Sequence, residues 1–212
     1  STVDNPKVIR GEQFAYYHVA QMIGSTGIVL ASQTKQKLVP FGEYLPGEES
    51  FPFLRDWLPN ARRYLPGDEL NLFPEVDGSS ILTAICYDIG FEPILKKALE
   101  SGVRVVWNPV NDGWFPSSMA AWHKALAQFR SAEMGLPLIR VSNSGYSVIA
   151  DDRGVVLQTG EWDQSVAKTV TIPVPEHAGP WLHIAEIFRW ALLGWVLLDV
   201  GLGLLLRRSQ ED

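Results

Sequence analysis

Cysteine is nearly missing. Cys86 is the only one in 212 residues, so no intramolecular disulfide framework can form, and the lone thiol is either a core filler or a reactive group. Basic residues are also short, 18 Lys and Arg against 24 Asp and Glu; the net charge of −6 argues against a nucleic-acid partner, which normally needs a basic patch. The four histidines, His18, His123, His177 and His183, are scattered. With no His-Glu-x-x-His run and no cysteine-rich spacing, no metal site is expected. Asn111-Asp112-Gly113 is turn chemistry, because the later ligands of a calcium loop do not follow. There is no Walker-type loop, no dinucleotide fingerprint, no internal repeat and no low-complexity tract, and no cofactor is called for. Ser1 to Arg10 lacks the charged, apolar, small-residue order of a signal peptide. What is plentiful is apolar: 46% hydrophobic against 20% charged residues is the balance of a chain that folds.

The pattern along the body is mixed α/β. Tyr16–Ile23 and Ile28–Ser32 read as short strands around the turn Gly24-Ser25-Thr26-Gly27. Pro40 to Pro74 is a Pro- and Gly-rich loop of unusual apolarity, either an ordinary core cover or a lid over an apolar substrate. Ser80–Ile85 is a buried strand running into Cys86, Pro93–Ser101 a helix, and Val103–Trp107 a strand followed by a loop over Asn108–Phe115. A helix is expected over Met119–Met134, capped by Ser117 or Ser118, with Trp122, Leu126 and Phe129 at helical spacing. Gly135 and Pro137 stop it. Leu138–Ser142, Tyr146–Ala150 and Val155–Gln158 are three more strands, and Ala167–Ile172 is expected to add a last one. Such an order predicts a sheet that mixes parallel crossovers with hairpins.

Residues 1–175 thus form the body, and 176–212 a linker and an apolar helix. Pro173, Pro175, Gly179 and Pro180 precede it, and between Trp190 and Leu206 only Asp199 is charged. The length suits a transmembrane or membrane-lying helix, with a buried C-terminal helix as the alternative. Trp181, Trp190 and Trp195 suit an interface, and Arg207-Arg208 a cytoplasmic end.

Cys86 stands where an apolar strand stops, a place that holds a side chain firmly yet lets it face a cleft. A nucleophilic thiol needs a nearby cation and a proton acceptor. Lys35 and Lys37 are available as cations at the end of the second strand, and Glu43, Asp88 and Glu92 are acceptors by type. Nothing in the spacing couples Cys86 to a histidine.

Four segments together resemble the bacterial apolipoprotein N-acyltransferases. Leu38-Val39-Pro40-Phe41-Gly42-Glu43-Tyr44-Leu45-Pro46 is similar to their signature loop, and Ala84-Ile85-Cys86-Tyr87-Asp88-Ile89 to their nucleophile segment. Asn111-Asp112-Gly113-Trp114-Phe115 resembles the loop that follows, and Arg140-Val141-Ser142-Asn143-Ser144-Gly145 a later strand and turn. The resemblance implies the nitrilase superfamily's α-β-β-α sandwich and an inner-membrane protein with a periplasmic catalytic domain and a cytoplasmic C-terminus. It implies transfer of an acyl chain from a phospholipid, through a cysteine thioester, to the N-terminal amine of a diacylated lipoprotein. Residue by residue, it implies Cys86 as nucleophile and Lys35 as the stabiliser of tetrahedral intermediates. Glu43, Tyr87 and Asp88 become active-site support, and Asn111 and Trp114 a loop near the site. Tyr44, Phe51, Phe53, Leu54 and Trp57 become a lipid-facing lid.

Two departures accompany the resemblance. Asp88 stands where the family usually has glutamate. The family's general-base glutamate lies well before its lysine, whereas only 34 residues precede Lys35 and Glu12 is the sole glutamate among them, outside any matching motif. The expectation is therefore a carboxy-terminal portion of a larger acyltransferase, a sandwich incomplete at its amino terminus and inactive alone. The competing readings are a carbon-nitrogen hydrolase acting on small amides or nitriles, and a non-catalytic membrane-anchored binding domain.

Overall fold

A computed structural model describes residues 7–9, 13–58, 62–74 and 79–208. Strands β1 (Lys7–Ile9) and β2 (Gln13–Ala15) pair antiparallel, as do β3 (Val19–Ile23) and β4 (Val29–Thr34). A single-turn helix, α1 (Leu54–Trp57), interrupts the long loop that follows. β5 (Phe73–Pro74) and β6 (Ser80–Thr83) then open the main sheet. A 3-10 turn over Cys86–Gly90 leads into α2 (Glu92–Glu100), β7 (Val103–Val110) and α3 (Ser117–Met134). β8 (Leu138–Ser142), β9 (Ser147–Ala150), β10 (Val156–Gly160) and α4 (Trp181–Arg208) complete the order.

The main sheet has six strands in the order β10-β9-β8-β7-β6-β5. β6, β7 and β8 are parallel, and hairpin partners flank them on both sides. The expected mixture of crossovers and hairpins is what forms. Two parallel steps need two crossovers, and α2 and α3 supply them on one face. There Leu82, Val106, Leu138 and Val148 meet Ile94, Leu95 and Ala98 of α2 and Ala127 and Met134 of α3. The opposite face carries the β3–β4 hairpin, with Ala20, Phe73, Ile85, Cys86 and Val110 between the layers. Helices, mixed sheet and a second, two-stranded sheet thus stack in that order among the described residues.

Several local expectations are corrected. β7 runs through Asn108, Pro109 and Val110, where a loop was expected, because β8 continues beside it with Pro109 opposite Val141. Neither Ser117 nor Ser118 caps α3; Pro116 precedes its first turn with no side-chain cap. Trp122 and Phe129 are each 62% exposed, and the face of α3 turned to the sheet is Ala120, His123, Ala127, Ser131 and Met134. Ala120, Ala127 and Ser131 on that face let the helix lie against the strands. Ala167–Ile172 forms no strand; these residues are mostly exposed and have no ladder partner.

Gly135 ends α3 in the left-handed conformation, φ 64°. A Cβ there would lie 2.5 Å from the Gly179 backbone nitrogen, and that nitrogen donates to the Met134 carbonyl at 2.7 Å. The return segment is docked on the end of α3 by this contact. α4 then leaves near α3 and is tied to α2 by two ion pairs: Glu186 pairs with Lys96, and Arg189 with Glu92 at 2.9 Å. Beyond these pairs Phe188, Trp190, Trp195 and Leu198 are exposed. Among the described residues no helix is long and apolar enough to cross a membrane, so the expected span is not found. Glu186, Arg189 and Asp199 interrupt its apolar run.

Candidate active site

β6 gives out at Thr83, and the chain turns sharply at Cys86, whose φ of 51° is left-handed. For a residue with a Cβ that conformation costs about 1–2 kcal/mol and persists only where surroundings hold it. The Asn108 side-chain amide does so, donating to the Ala84 carbonyl at 2.6 Å and the Cys86 carbonyl at 3.3 Å. The thiol comes to rest against a cleft of about 850 Å³, itself only 7% exposed.

Lys35 follows the last residue of β4, with its backbone N–H bonded to the His18 carbonyl at 2.9 Å. Its side chain is 1% exposed, and Nζ donates to both carboxylate oxygens of Glu43, at 2.6 and 2.7 Å. Glu43 also accepts from the Val39 N–H at 2.8 Å and faces His18 Nε2 at 3.2 Å. His18 is stacked on Tyr64, centroids 3.9 Å apart. Burial pushes the Glu43 carboxyl up, but the His18 bond, the Lys35 charge and the Val39 N–H outweigh it and hold it below its ordinary value. Glu43 is therefore ionised and committed, a poor acceptor for another proton.

The cleft joins these groups. His18, Lys35, Glu43, Arg62, Tyr64 and Cys86 line it together with Phe41, Trp107, Asn111 and Trp114. Trp114 lies so close over the Phe41-Gly42 turn that a Cβ on Gly42 would be 2.5 Å from its ring. Asn111 closes the other side of the sulfur with its backbone N–H.

Cys86 is not a resting thiolate. Burial pushes its thiol up; Lys35 and the Asn111 N–H draw it down, and the Glu43 and Asp112 carboxylates push it up again, leaving it above its ordinary value. The reason is charge balance. Lys35 is matched by Glu43, and Arg140 by Asp112 at 2.7 Å, so neither of these cations acts on the sulfur unopposed. Attack by Cys86 requires a base that takes its proton. Glu43 is the one carboxylate lining the cleft among the described residues. Glu12 lies outside the described residues. Among them, no group of three or more His, Cys, Asp and Glu side chains is arranged to hold a metal ion.

Of the residues singled out in the sequence, Cys86, Lys35, Glu43, Asn111 and Trp114 come together around the cleft. Asp88 sits behind it, fully buried, accepting from the Gln36 and Lys37 N–H groups at 3.2 and 2.7 Å, and so ties the Lys35 loop to the nucleophile turn. Burial pushes its carboxyl up to about 6. Tyr87 turns away and packs edge-on against Phe91. Tyr44, Phe51, Phe53, Leu54 and Trp57 do not line the cleft. They belong to a segment folded on itself, in which Phe53 makes edge contacts with both Phe51 and Trp57, and Arg55 pairs with Glu48. Sequence reasoning missed His18, Asn108 and the buried Arg140–Asp112–His123 cluster. Arg140 shares its strand face with Leu138, two residues before it, and that inward parity was the available signal.

The family model for carbon-nitrogen hydrolases matches residues 6–176. The chain is 28% identical over 182 residues to an apolipoprotein N-acyltransferase from Geobacter metallireducens, covering 85% of this chain and 35% of that protein. It is 31% identical over 203 residues to another from Brucella melitensis, covering 92% of this chain and 37% of that protein. The chain thus spans about a third of the length of the curated relatives it matches. Among solved structures it resembles Saccharomyces cerevisiae Nit3, of the nitrilase superfamily, with a TM-score of 0.56 at 16% identity over 76% of this chain and 55% of that one. It also resembles a mutant amidase from Nesterenkonia sp. AN1 bearing a covalent acetamide adduct on its active-site cysteine, with a TM-score of 0.53 at 22% identity over 76% of this chain and 56% of that one. These structural likenesses show the fold, and the match over residues 6–176 shows that the chain belongs to the carbon-nitrogen hydrolase family.

Proposed function

We propose that Cys86 is the nucleophile of an N-acyltransferase that takes an acyl chain from a phospholipid and passes it to the N-terminal amine of a diacylated lipoprotein. The observation that carries this reading is the strained Cys86 turn, opening on a cleft shared with the buried Lys35–Glu43 pair. Relatives that bear the acyltransferase name support the choice of reaction.

In this reading the Cys86 sulfur attacks the lipid ester carbonyl as its proton passes to a base other than Glu43. Lys35 stabilises the developing oxyanion by charge, and the lysolipid alcohol leaves with the proton. The resulting thioester is then attacked by the lipoprotein amine, which closes the amide and returns the thiol. Glu43, Asp88 and Asn111 keep Lys35 and Cys86 in register, and Trp114 with Phe41 walls the cleft against water. The segment carrying Tyr44, Phe51, Phe53, Leu54 and Trp57 serves as the lipid-facing lid, with Phe51, Phe53 and Trp57 exposed toward a bilayer. The domain sits on the periplasmic side of the bacterial inner membrane. α4 contacts the bilayer, and its Arg207-Arg208 end points toward the cytoplasm. In this reading the base lies outside the described residues, and turnover is a property of the whole protein.

The test is intact-mass measurement of the full-length protein after incubation with phospholipid vesicles, with and without a lipoprotein peptide. An acyl adduct is expected, absent in Cys86→Ser and discharged by the peptide. No adduct under turnover conditions overturns the reading, and hydrolysis of small amides or nitriles in its place makes the protein a hydrolase.

A further inference from the structure

A fully buried polar cluster lies beneath the nucleophile turn, and neither the proton transfers nor substrate contact uses it. Arg140, on β8, is 0% exposed; it donates to Asn108 Oδ1 at 2.6 Å and to Asp112 Oδ2 at 2.7 Å. Asp112 also faces His123 Nδ1 at 3.1 Å and accepts from Ser142 at 3.2 Å. Arg140 can only donate, so it fixes the orientation of the Asn108 amide: oxygen toward Arg140, nitrogen toward the Cys86 turn.

The backbone explains why that nitrogen is needed. Ala84 donates its N–H to the Trp107 carbonyl, the last rung between β6 and β7. In a parallel ladder the reciprocal bond to the Ala84 carbonyl comes two residues further along β7. That residue is Pro109, which has no N–H. The rung is missing, β6 ends, and the Ala84 carbonyl is left for another donor. Asn108 Nδ2 is that donor, and the same nitrogen reaches on to the Cys86 carbonyl. A buried carbonyl is thus satisfied from a side chain, and the bond extends past the ladder to the one non-glycine residue of this turn at positive φ.

We propose that Asn108 is a positioning residue for the nucleophile. Its amide replaces the ladder donor that Pro109 withholds and, by also holding the Cys86 carbonyl, keeps Cys86 left-handed with its sulfur at the cleft. Without the second bond the turn relaxes to negative φ and the sulfur swings toward Phe73 and Val110, its apolar neighbours. The proposal rests on the reading of Cys86 as nucleophile.

The two bonds separate experimentally. Asn108→Asp keeps an acceptor for Arg140 and loses both donated bonds. Adding Pro109→Ala restores a backbone donor for the Ala84 carbonyl and leaves the Cys86 carbonyl unheld. The probe is iodoacetamide alkylation of Cys86 in the full-length protein, followed by intact mass. Its limiting rate is read at high pH, where the thiol is ionised in every variant and a shifted thiol pKa no longer changes the thiolate fraction. The limiting rate should fall about tenfold to a hundredfold in Asn108→Asp, up to the scale of a misaimed reacting group, and stay low in the double variant. Part of the thermal midpoint lost in the single variant should recover in the double, the remainder being the carboxylate left against the Cys86 carbonyl. Recovery of rate together with midpoint overturns the proposal, since Asn108 is then a fold brace alone, and so does an unchanged rate in Asn108→Asp. Absence of a lipid-derived acyl adduct on the unmutated protein refutes the acyltransferase reading instead and leaves the alkylation comparison intact.

Discussion

Replacing Glu43 by glutamine removes one charge and almost no volume. In the native structure both oxygens of Glu43 sit on the Lys35 ammonium, with side chains 4% and 1% exposed, so solvent screening is negligible at this pair. Taking away the carboxylate strands a buried cation, which costs about 3–5 kcal/mol. For a chain of this size that is a fall of roughly 10 °C in thermal midpoint. The Val39 N–H still finds an acceptor in the glutamine oxygen, so the loss is mainly electrostatic. Charge balance at the sulfur changes as well: the carboxylate that pushes the Cys86 thiol up is gone, while Lys35, which draws it down, remains. Glu43→Gln should therefore be less stable yet alkylate faster at neutral pH, with its rate–pH midpoint moved to lower pH. Urea titration and pH-resolved alkylation read the two effects separately. The double variant Glu43→Leu with Lys35→Met should regain most of the lost stability, because a buried pair replaced by apolar groups of similar size is close to neutral. A single-variant cost under about 1 kcal/mol, or an unmoved alkylation midpoint, refutes the picture of a dry, mutually dependent pair beside the thiol.

Asp88 carries the opposite pH signature. An acid that titrates near 6 when folded, against 3.8 ordinarily, binds its proton more tightly in the native state. Its contribution is fully present below about pH 4 and lost as pH rises through about 6, a swing of roughly 3 kcal/mol. Asp88→Asn should flatten that part of the stability profile between pH 4 and 6, measured by urea unfolding at each pH; an unaltered slope contradicts the burial argument. Glu43, held low, acts with the reverse sign, its contribution fading only as pH falls below the ordinary carboxylate range. Gly135→Ala meets both a left-handed φ and the Gly179 backbone, which cannot move aside as a side chain can. It should cost about 2 kcal/mol or more and open residues near Gly179 to limited proteolysis; a wild-type digestion pattern counts against the docking described.

The Cys86 strand end, α2, β3, β4 and β6 to β10 were legible because each rests on local pattern: an apolar run, a proline near a first turn, turn residues between β-branched stretches. The cleft was legible where motif order carried it. What escaped depends on which strands become neighbours. His18 meets Glu43 only once the β3–β4 hairpin folds under the Pro40–Tyr44 loop, and Arg140 reaches Asn108 and Asp112 only because β8 lies beside β7. α3 misled for a different reason. Its aromatic residues repeat at helical spacing, but its small residues do too, and close approach to a sheet selects the small face. β7 overran its expected end because proline inside a strand reads as a stop, although its missing donor here faces the side where β6 has already finished.

The paired charges around the thiol also bear on its chemical survival. Oxidants, like electrophiles, react with the thiolate, and a cysteine held protonated by burial between two neutral ion pairs offers little of it. No second cysteine of this sequence can resolve a sulfenic acid on Cys86, so its recovery would depend on a thiol from elsewhere. Electrical neutrality at rest is thus a form of storage: the sulfur stays reduced until a base arrives with the substrate geometry that uses it.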